Sequence, residues 1–288
     1  MSADETPFDA SQKPAAKSPP EIQWDYLAKG IDYIMAHPEG LGGLGVASAN
    51  IYTVLYDWAF LIANSVGNRD VNYEQIQQHL TQYFHGLYPA FQSLTGTELL
   101  AYYAEQFDLA KSSAQVLNRV FYYLNRVRAA MDHSEATGKN GEELKKRPVR
   151  LPIFSAVMHA WKTGILDRLQ ADSLKVTNGL FDVINAQRAG KETDSILVKR
   201  VVDSFRFLGE HLEPDNRHHI YEDNFEARYL EDLAEYFKHT LGIPSLQEAK
   251  NDKYRKMVED LLEQEAAKVG NCLPITTQSK GASRVGLE

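Results

Sequence analysis

The chain has 288 residues, of which 43% are hydrophobic and 24% are charged, and its net charge is −8. This composition is typical of a soluble globular protein, and an acidic chain is a poor candidate for general nucleic-acid binding. A single cysteine, Cys272, excludes an intrachain disulfide, and no apolar run approaches the roughly 18 residues that span a bilayer. We therefore expect a protein of the cytoplasm and nucleus that binds neither membranes nor nucleic acid.

The N-terminal residues 1–20 are rich in proline, serine, alanine and charged residues. They lack the apolar segment of a secretory signal, so we interpret them as a disordered tail. Helical spacing begins directly after Pro20 and includes Trp24, Leu27, Ile31 and Ile34. A break from Pro38 to Gly45 separates this first predicted helix from the second.

The second predicted helix carries two neighbouring stripes of side chains. The first stripe is apolar, with spacings of four, three and four residues: Ile51, Leu55, Trp58 and Ile62. The second stripe lies about 100° around the helix and contains Ala49, Tyr52, Thr53 and Tyr56. One stripe is enough to bury a helix. The second therefore indicates either a central helix packed on both sides or a binding face, because tyrosine combines an apolar ring with a polar tip.

Further helices follow with short breaks. The third runs from Asn72 to about Leu94, and the fourth begins at the capping-box pair Thr95 and Glu98 and ends near Met131. A fifth helix covers 151–169. Later helices are marked by Val176, Leu197, Tyr221 and a second capping-box pair, Ser245 and Glu248, and periodicity is lost from Asn271 onward.

One dipeptide, Asn178-Gly179, is typical of a hairpin turn, but the helical spacing around it predicts a helix. No segment carries a convincing strand pattern. The predicted fold class is therefore all-α, with helices stacked as bundles or as a solenoid.

No set of residues indicates catalysis, a cofactor or a metal ion. Gly40, Gly42 and Gly45 have the spacing of a dinucleotide-binding loop, but a helix and a proline precede them where a strand is required. His218 and His219 are adjacent, and adjacent side chains on a helix diverge by about 100°. We therefore expect a protein without enzymatic activity.

Several short motifs resemble those of the SCF-type cullins. Trp24 to Ile31 is similar to W-D-x-L-x-x-G-I, and Ile51 to Tyr56 is similar to L-Y-T-x-V-Y. Further similarities to V-L-N, Y-L-N-R, Y-S, W-R, V-T-N, R-x-G-E-T and Y-x-x-x-F-E occur, in this order, at Val116, Tyr123, Phe154, Trp161, Val176, Arg188 and Tyr221. The order and spacing of the motifs, from Trp24 to about Thr277, make the resemblance specific.

The resemblance implies cullin repeats, each a five-helix bundle, stacked into an elongated helical solenoid. Residues 21–169 would form the first repeat, 170–277 the second, and 278–288 an irregular tail. In the family, the second and fifth helices of the first repeat bind the adaptor. The matching positions are Val46, Ser48, Ala49, Tyr52, Thr53, Tyr56 and Phe154.

The function implied by the resemblance is that of a non-catalytic scaffold arm in a cullin–RING ubiquitin ligase. Its partner would be the F-box adaptor protein with its substrate receptor. The family's C-terminal domain, which binds the RING subunit, has no counterpart in these residues. We therefore expect a truncated form that does not bind the RING subunit.

Two alternatives remain open. A basic run that contains Lys145, Lys146, Arg147 and Arg150 leads into the fifth helix, where it either steers an acidic adaptor or is a solvated loop. The whole chain could instead be another helical-rod interaction protein, such as a vesicle-tethering subunit. Tyr52 and Tyr56 would then be ordinary packing residues, so their exposure discriminates between the two functions.

Overall fold

The computed structural model describes residues 8–41, 45–65, 70–127, 129, 151–242, 252–268 and 273–285. Within these ranges every regular element is helical, which confirms the all-α prediction. The helices are α1 (Pro20–Ala36), α2 (Gly45–Ser65), α3 (Asp70–Gln92), α4 (Gly96–Val120), α5 (122–127), α6 (Ile153–Trp161), α7 (Asp167–Ala171), α8 (Lys175–Arg188), α9 (Ser195–Leu212), α10 (His219–Tyr221), α11 (Ala227–Leu241), α12 (Asp252–Lys268) and α13 (Ile275–Arg284).

The first of two compact units comprises Met1–Tyr88 and Gln106–Ile165. The rings of Trp24 and Trp58 stack in its core with 5.1 Å between centroids. The fully buried Trp161 contacts Phe84 and Phe107 edge to face, at centroid distances of 5.5 Å and 5.6 Å. Because burying one phenylalanine side chain contributes roughly 1.5–3 kcal/mol, these rings hold α1, α2, α3, α4 and α6 together within the unit.

A π-helical turn, Lys162–Leu166, connects α6 to α7. Gly164 allows this turn to approach α3 closely, since a Cβ atom at Gly164 would lie 2.8 Å from the Cβ of Phe84. The sequence predicts one uninterrupted helix over 151–169. The apolar spacing does not reveal the wide turn, because a π-bulge adds a single residue to an otherwise helical segment.

The second compact unit comprises Pro89–Glu105 and Leu166–Glu288. In its core, Phe181 and Tyr229 both stack on the buried ring of Phe225, at centroid distances of 5.8 Å and 5.5 Å. A second π-helical turn, Glu222–Glu226, lies between α10 and α11. The hydroxyl of Thr177 donates a hydrogen bond to the carbonyl of Asn224 in this turn, at 2.7 Å. A side chain of α8 thereby satisfies a backbone acceptor of the widened turn.

A buried cluster of ions joins α8, α11 and α12 in the second unit. The guanidinium of Arg188 donates to Glu265 at 2.7 Å, pairs with Asp232, and lies 4.5 Å from the centroid of the Tyr236 ring. The side chains of Arg188 and Glu265 are only 3% and 5% exposed. Burial alone would lower the pKa of Arg188, but its hydrogen bonds and ion pairs with Glu265 and Asp232 outweigh burial and raise that pKa. The Arg188 guanidinium therefore stays charged despite its burial.

The prediction of a disordered tail over 1–20 is wrong for residues 8–20. The hydroxyl of Tyr26 and the amide of Asn50 both donate to the carbonyl of Ala10, at 3.2 Å and 3.1 Å. The Phe8 ring packs on Tyr26 with 5.1 Å between centroids. These contacts come from residues distant in sequence, so the polar local composition does not reveal them. Residues 1–7 lie outside the described residues.

The prediction of an irregular tail over 278–288 is wrong for residues 278–284, because α13 extends to Arg284. Residues 286–288 lie outside the described residues. Its residue Thr277 is fully buried and donates a hydrogen bond to Glu226. Lys280 donates to the same carboxylate at 2.6 Å. The side of α13 that packs on the core is polar and small, so the apolar periodicity that marks other helices is missing.

The fourth predicted helix, from Thr95 to about Met131, is interrupted at Phe121, between α4 and α5. The remaining helix predictions agree with the described elements. Asn178-Gly179 lies inside α8, so the hairpin-like dipeptide is helical. The pair Ser245 and Glu248 and the single Cys272 lie outside the described residues. None of the described helices combines the length and apolar character that crossing a bilayer requires. The division into repeats at 169 and 170 remains a prediction.

Candidate functional site

The two stripes of α2 have different environments. Ile51, Leu55 and Trp58 are completely buried. The second stripe is more open: Ala49 is exposed, Tyr52 is 40% exposed and Tyr56 is 44% exposed. The helix therefore buries one face in the first unit and presents two tyrosines, one turn apart, on another.

Smaller side chains surround these two tyrosines. Ser48 and Thr53 are half-buried, and the hydroxyl of Thr53 donates to the carbonyl of Ala49 at 2.7 Å. Because that hydroxyl is satisfied within its own helix, Thr53 presents mainly its methyl group as a contact surface. Val46 lies in the first turn of α2, and its side chain is outside the described part of the chain.

Tyr56 is supported by a neighbouring ring. Its centroid lies 4.8 Å from that of Tyr123 on α5, with 57° between the ring planes. Tilted pairs of this kind are worth about 0.5–1.5 kcal/mol beyond the area they bury. The contact holds the Tyr56 ring in place while almost half of the side chain remains exposed, and a fixed ring loses less entropy when a partner binds.

The predicted residue of the fifth helix, Phe154, is half-buried in the first turn of α6. That turn is held by Asn125, whose side-chain oxygen accepts a hydrogen bond from the backbone amide of Ile153 at 2.9 Å. Asn125 in turn donates to the side-chain oxygen of Asn118 at 2.8 Å. The two asparagines, which belong to the V-L-N-like and Y-L-N-R-like motifs, thus fix the start of α6.

Two further aromatic side chains in the described part of the same unit are exposed, although no sequence motif marked them. Phe60 is 56% exposed on α2, one turn beyond Tyr56, and Tyr122 is 61% exposed on α5. The spacing of four residues from Tyr52 to Tyr56 to Phe60 was the available signal. The basic run over 145–150 lies outside the described residues, so its two interpretations stay as they were.

The family model described as "Cullin alpha solenoid domain" matches residues 24–285. The chain belongs to the cullin family. The match extends past Thr277, the predicted end of the resemblance, and includes all of α13. Membership in the family decides against a vesicle-tethering rod as the origin of the helical pattern.

Similarity to individual cullins is low but extensive. The chain is 25% identical over 220 residues to Cullin-1 of Dictyostelium discoideum, which covers 76% of this chain and 26% of that protein. It is 21% identical over 243 residues to Cullin-1 of Caenorhabditis elegans, covering 73% and 29%. Cullin-3B of Arabidopsis thaliana is 27% identical over 131 residues, covering 46% and 16%. The chain thus spans roughly a quarter of the length of these two Cullin-1 relatives.

Proposed function

We propose that the chain is a non-catalytic scaffold arm of a cullin–RING ubiquitin ligase and that it binds an F-box-type adaptor through α2 and α6. Family membership supports the scaffold role, and the similarity to SCF-type motifs supports the choice of adaptor. The observation that carries the proposal is the exposure of Tyr52 and Tyr56 on a helix whose neighbouring stripe is completely buried at Ile51, Leu55 and Trp58. A helix that was only a packing element would bury both stripes.

The physical basis of the proposal is a small set of aromatic anchors. Interface energy is concentrated in a few side chains, and tyrosine is enriched among them. The candidate surface consists of Ser48, Ala49, Tyr52, Thr53, Tyr56 and Phe154, with Val46 at its N-terminal edge. Small residues between the tyrosines leave space for partner side chains. We also propose that the protein acts in the cytoplasm and nucleus, where its single cysteine would remain reduced.

The proposal is tested by competition in a reconstituted ligase. A polypeptide of these 288 residues should bind adaptor and receptor without recruiting the RING subunit. Added to a ligase that contains a full-length cullin, it should reduce substrate ubiquitination once its concentration exceeds that of free adaptor, and extra adaptor should restore the reaction. Ubiquitin transfer by the polypeptide itself, or stimulation of the ligase, would overturn the proposal.

A further inference from the structure

A cavity of about 690 Å³ lies between α1 and the N-terminal arm, which we define as residues 8–19. The arm is tied to α1 and α2 by the two hydrogen bonds that Ala10 accepts from Tyr26 and Asn50. A third bond runs from the amide of Gln23 to the carbonyl of Ala16, at 3.1 Å. The cavity thus belongs to the first compact unit, and two of its walls come from different segments of the chain.

Aromatic rings form part of the wall. The centroid of Phe8 lies 5.1 Å from that of Tyr26 and 5.9 Å from that of Tyr33. The centroid of the His37 ring lies 5.4 Å from that of Tyr33. Aromatic faces attract cations through their quadrupole, and the attraction increases when water is partly excluded.

The charges around the cavity have the matching sign. The described lining residues include three aspartates, Asp9, Asp25 and Asp32, and one lysine, Lys29, so the carboxylates outnumber the ammonium group by two. Lys29 is paired with Asp25 at 2.8 Å, and both side chains are about two-thirds exposed, so this pair is weak and exchangeable. His79 contacts Oδ1 of Asp32 at 2.7 Å. Among the described residues no group forms a hydrogen bond or ion pair with Oδ2, which can therefore accept a hydrogen bond from a ligand.

We propose that this cavity binds an arginine side chain presented by a basic segment of a partner protein. A guanidinium can lie flat against an aromatic ring and donate from its edge to a carboxylate at the same time, which the compact ammonium of lysine cannot do as well. The cavity provides both kinds of contact, through the rings of Phe8 and Tyr33 and through the carboxylate of Asp32. Asp9 adds its negative charge, while its carboxylate already accepts hydrogen bonds from Ser11 and Gln12. This site is separate from the candidate adaptor-binding surface and does not depend on it.

A peptide titration tests the proposal with the full chain. The probe is an acetylated, amidated glycine peptide that carries two arginines, and matched peptides carry two lysines or two glutamines. We expect the arginine peptide to bind more tightly than the lysine peptide, the glutamine peptide not to bind, and binding to weaken as salt is raised. Equal binding of the glutamine peptide, or no binding of the arginine peptide, would overturn the proposal.

Two variants locate the binding. Asp32→Asn removes one charge without changing the shape of the side chain, and Tyr33→Leu removes a ring but keeps apolar volume. Each substitution should weaken binding of the arginine peptide by about tenfold. Asp182→Asn changes an exposed carboxylate on α8 and serves as the charge control. The melting temperature of each variant is measured first, and only folded variants are titrated. If both cavity variants bind as the wild type does, or if the control loses as much as they do, the cavity is not the site.

Discussion

Tyr56 on α2 and Tyr123 on α5 lie ring against ring, 4.8 Å between centroids, although Tyr56 remains 44% exposed. Tyr56 therefore contributes both to the stability of the first unit and to the surface that we propose as the adaptor-binding face. Tyr52, one turn earlier and 40% exposed, is expected to contribute to the surface alone. This difference allows binding and folding to be separated by substitution.

Tyr52→Ala should weaken adaptor binding by about 2 kcal/mol or more while the free energy of unfolding hardly changes. Tyr56→Ala should weaken binding similarly and should also reduce stability by about 0.5–1.5 kcal/mol, because the pair with Tyr123 is lost. Tyr122→Ala, an equally large truncation at a position 61% exposed on α5, is the matched control. Calorimetric titration and urea denaturation of the three variants give the comparison. Unfolding of the Tyr52 variant would mean that this side chain is core.

Arg188→Met should destabilise the chain by about 3–5 kcal/mol, because it leaves Glu265 buried without its charge partner. Lys199→Met is the control, because it removes an exposed ion pair of the same unit. The side chains of Lys199 and its partner Asp203 are 50% and 40% exposed. That control should change stability by less than about 1 kcal/mol. Urea denaturation at neutral pH measures both. A small effect of Arg188→Met would show that the cluster is not important for the stability of the second unit.

Stability should fall above about pH 10 because of buried tyrosines. Burial, followed by the charge of Glu265, raises the pKa of Tyr229 above its ordinary value, and burial likewise raises that of Tyr221. A group whose pKa is higher in the folded state holds its proton more tightly there, so its stabilising contribution is complete below the unfolded pKa and decreases above it.

Tyr229→Phe tests this pH dependence. At pH 7 the free energy of unfolding of the variant should be about 1.5–3 kcal/mol lower than that of the wild type, because the hydrogen bond from the Tyr229 hydroxyl to the carboxylate of Glu265 is missing. Its stability should then decline less steeply than that of the wild type as the pH passes about 10. Free energies of unfolding at several alkaline pH values give the pH dependence of stability for the wild type and the variant. Identical pH dependence would show that Tyr229 does not cause the alkaline loss of stability.

Gly209→Ala should destabilise the second unit by about 3 kcal/mol or more, because overpacked sites cannot relax freely. A Cβ atom there would lie 2.1 Å from the carbonyl oxygen of Arg217, so the loop after α9 would have to move. Gly86→Ala, on α3, meets nothing within 4 Å and should instead stabilise the chain by up to about 1 kcal/mol. Thermal denaturation of both variants measures the difference. Equal shifts in melting temperature would contradict the close approach of Gly209 to Arg217.

The sequence predicts the helices well where an apolar stripe recurs over several turns, as in α1, α2, α8 and α9. It also separates the buried stripe of α2 from the exposed one, because the two lie at different angles on the same helix. It does not predict α13, whose buried positions include Thr277 and Gly281 rather than large apolar residues. Apolar periodicity cannot detect a helix that packs through polar and small side chains.

Contacts between distant residues account for most of the remainder. The N-terminal arm is held by Tyr26 and Asn50, and the Arg188 cluster joins residues 44 and 77 positions apart. No local pattern identifies such partners, because each residue alone is an ordinary surface-type side chain. The support that Asn125 gives to α6 is likewise visible in the sequence as a motif but not as a hydrogen bond.

Direct binding of an F-box-type adaptor, in complex with its receptor, to the purified 288-residue polypeptide is the measurement that tests the central claim. Calorimetry should give a one-to-one complex that the Tyr52→Ala, Tyr56→Ala double variant weakens by at least about thirtyfold, which corresponds to the loss of a hot spot. A BTB-type adaptor should bind more weakly than the F-box type. Absence of binding by the folded chain, undiminished binding by a folded double variant, or preference for the BTB-type adaptor would contradict this account.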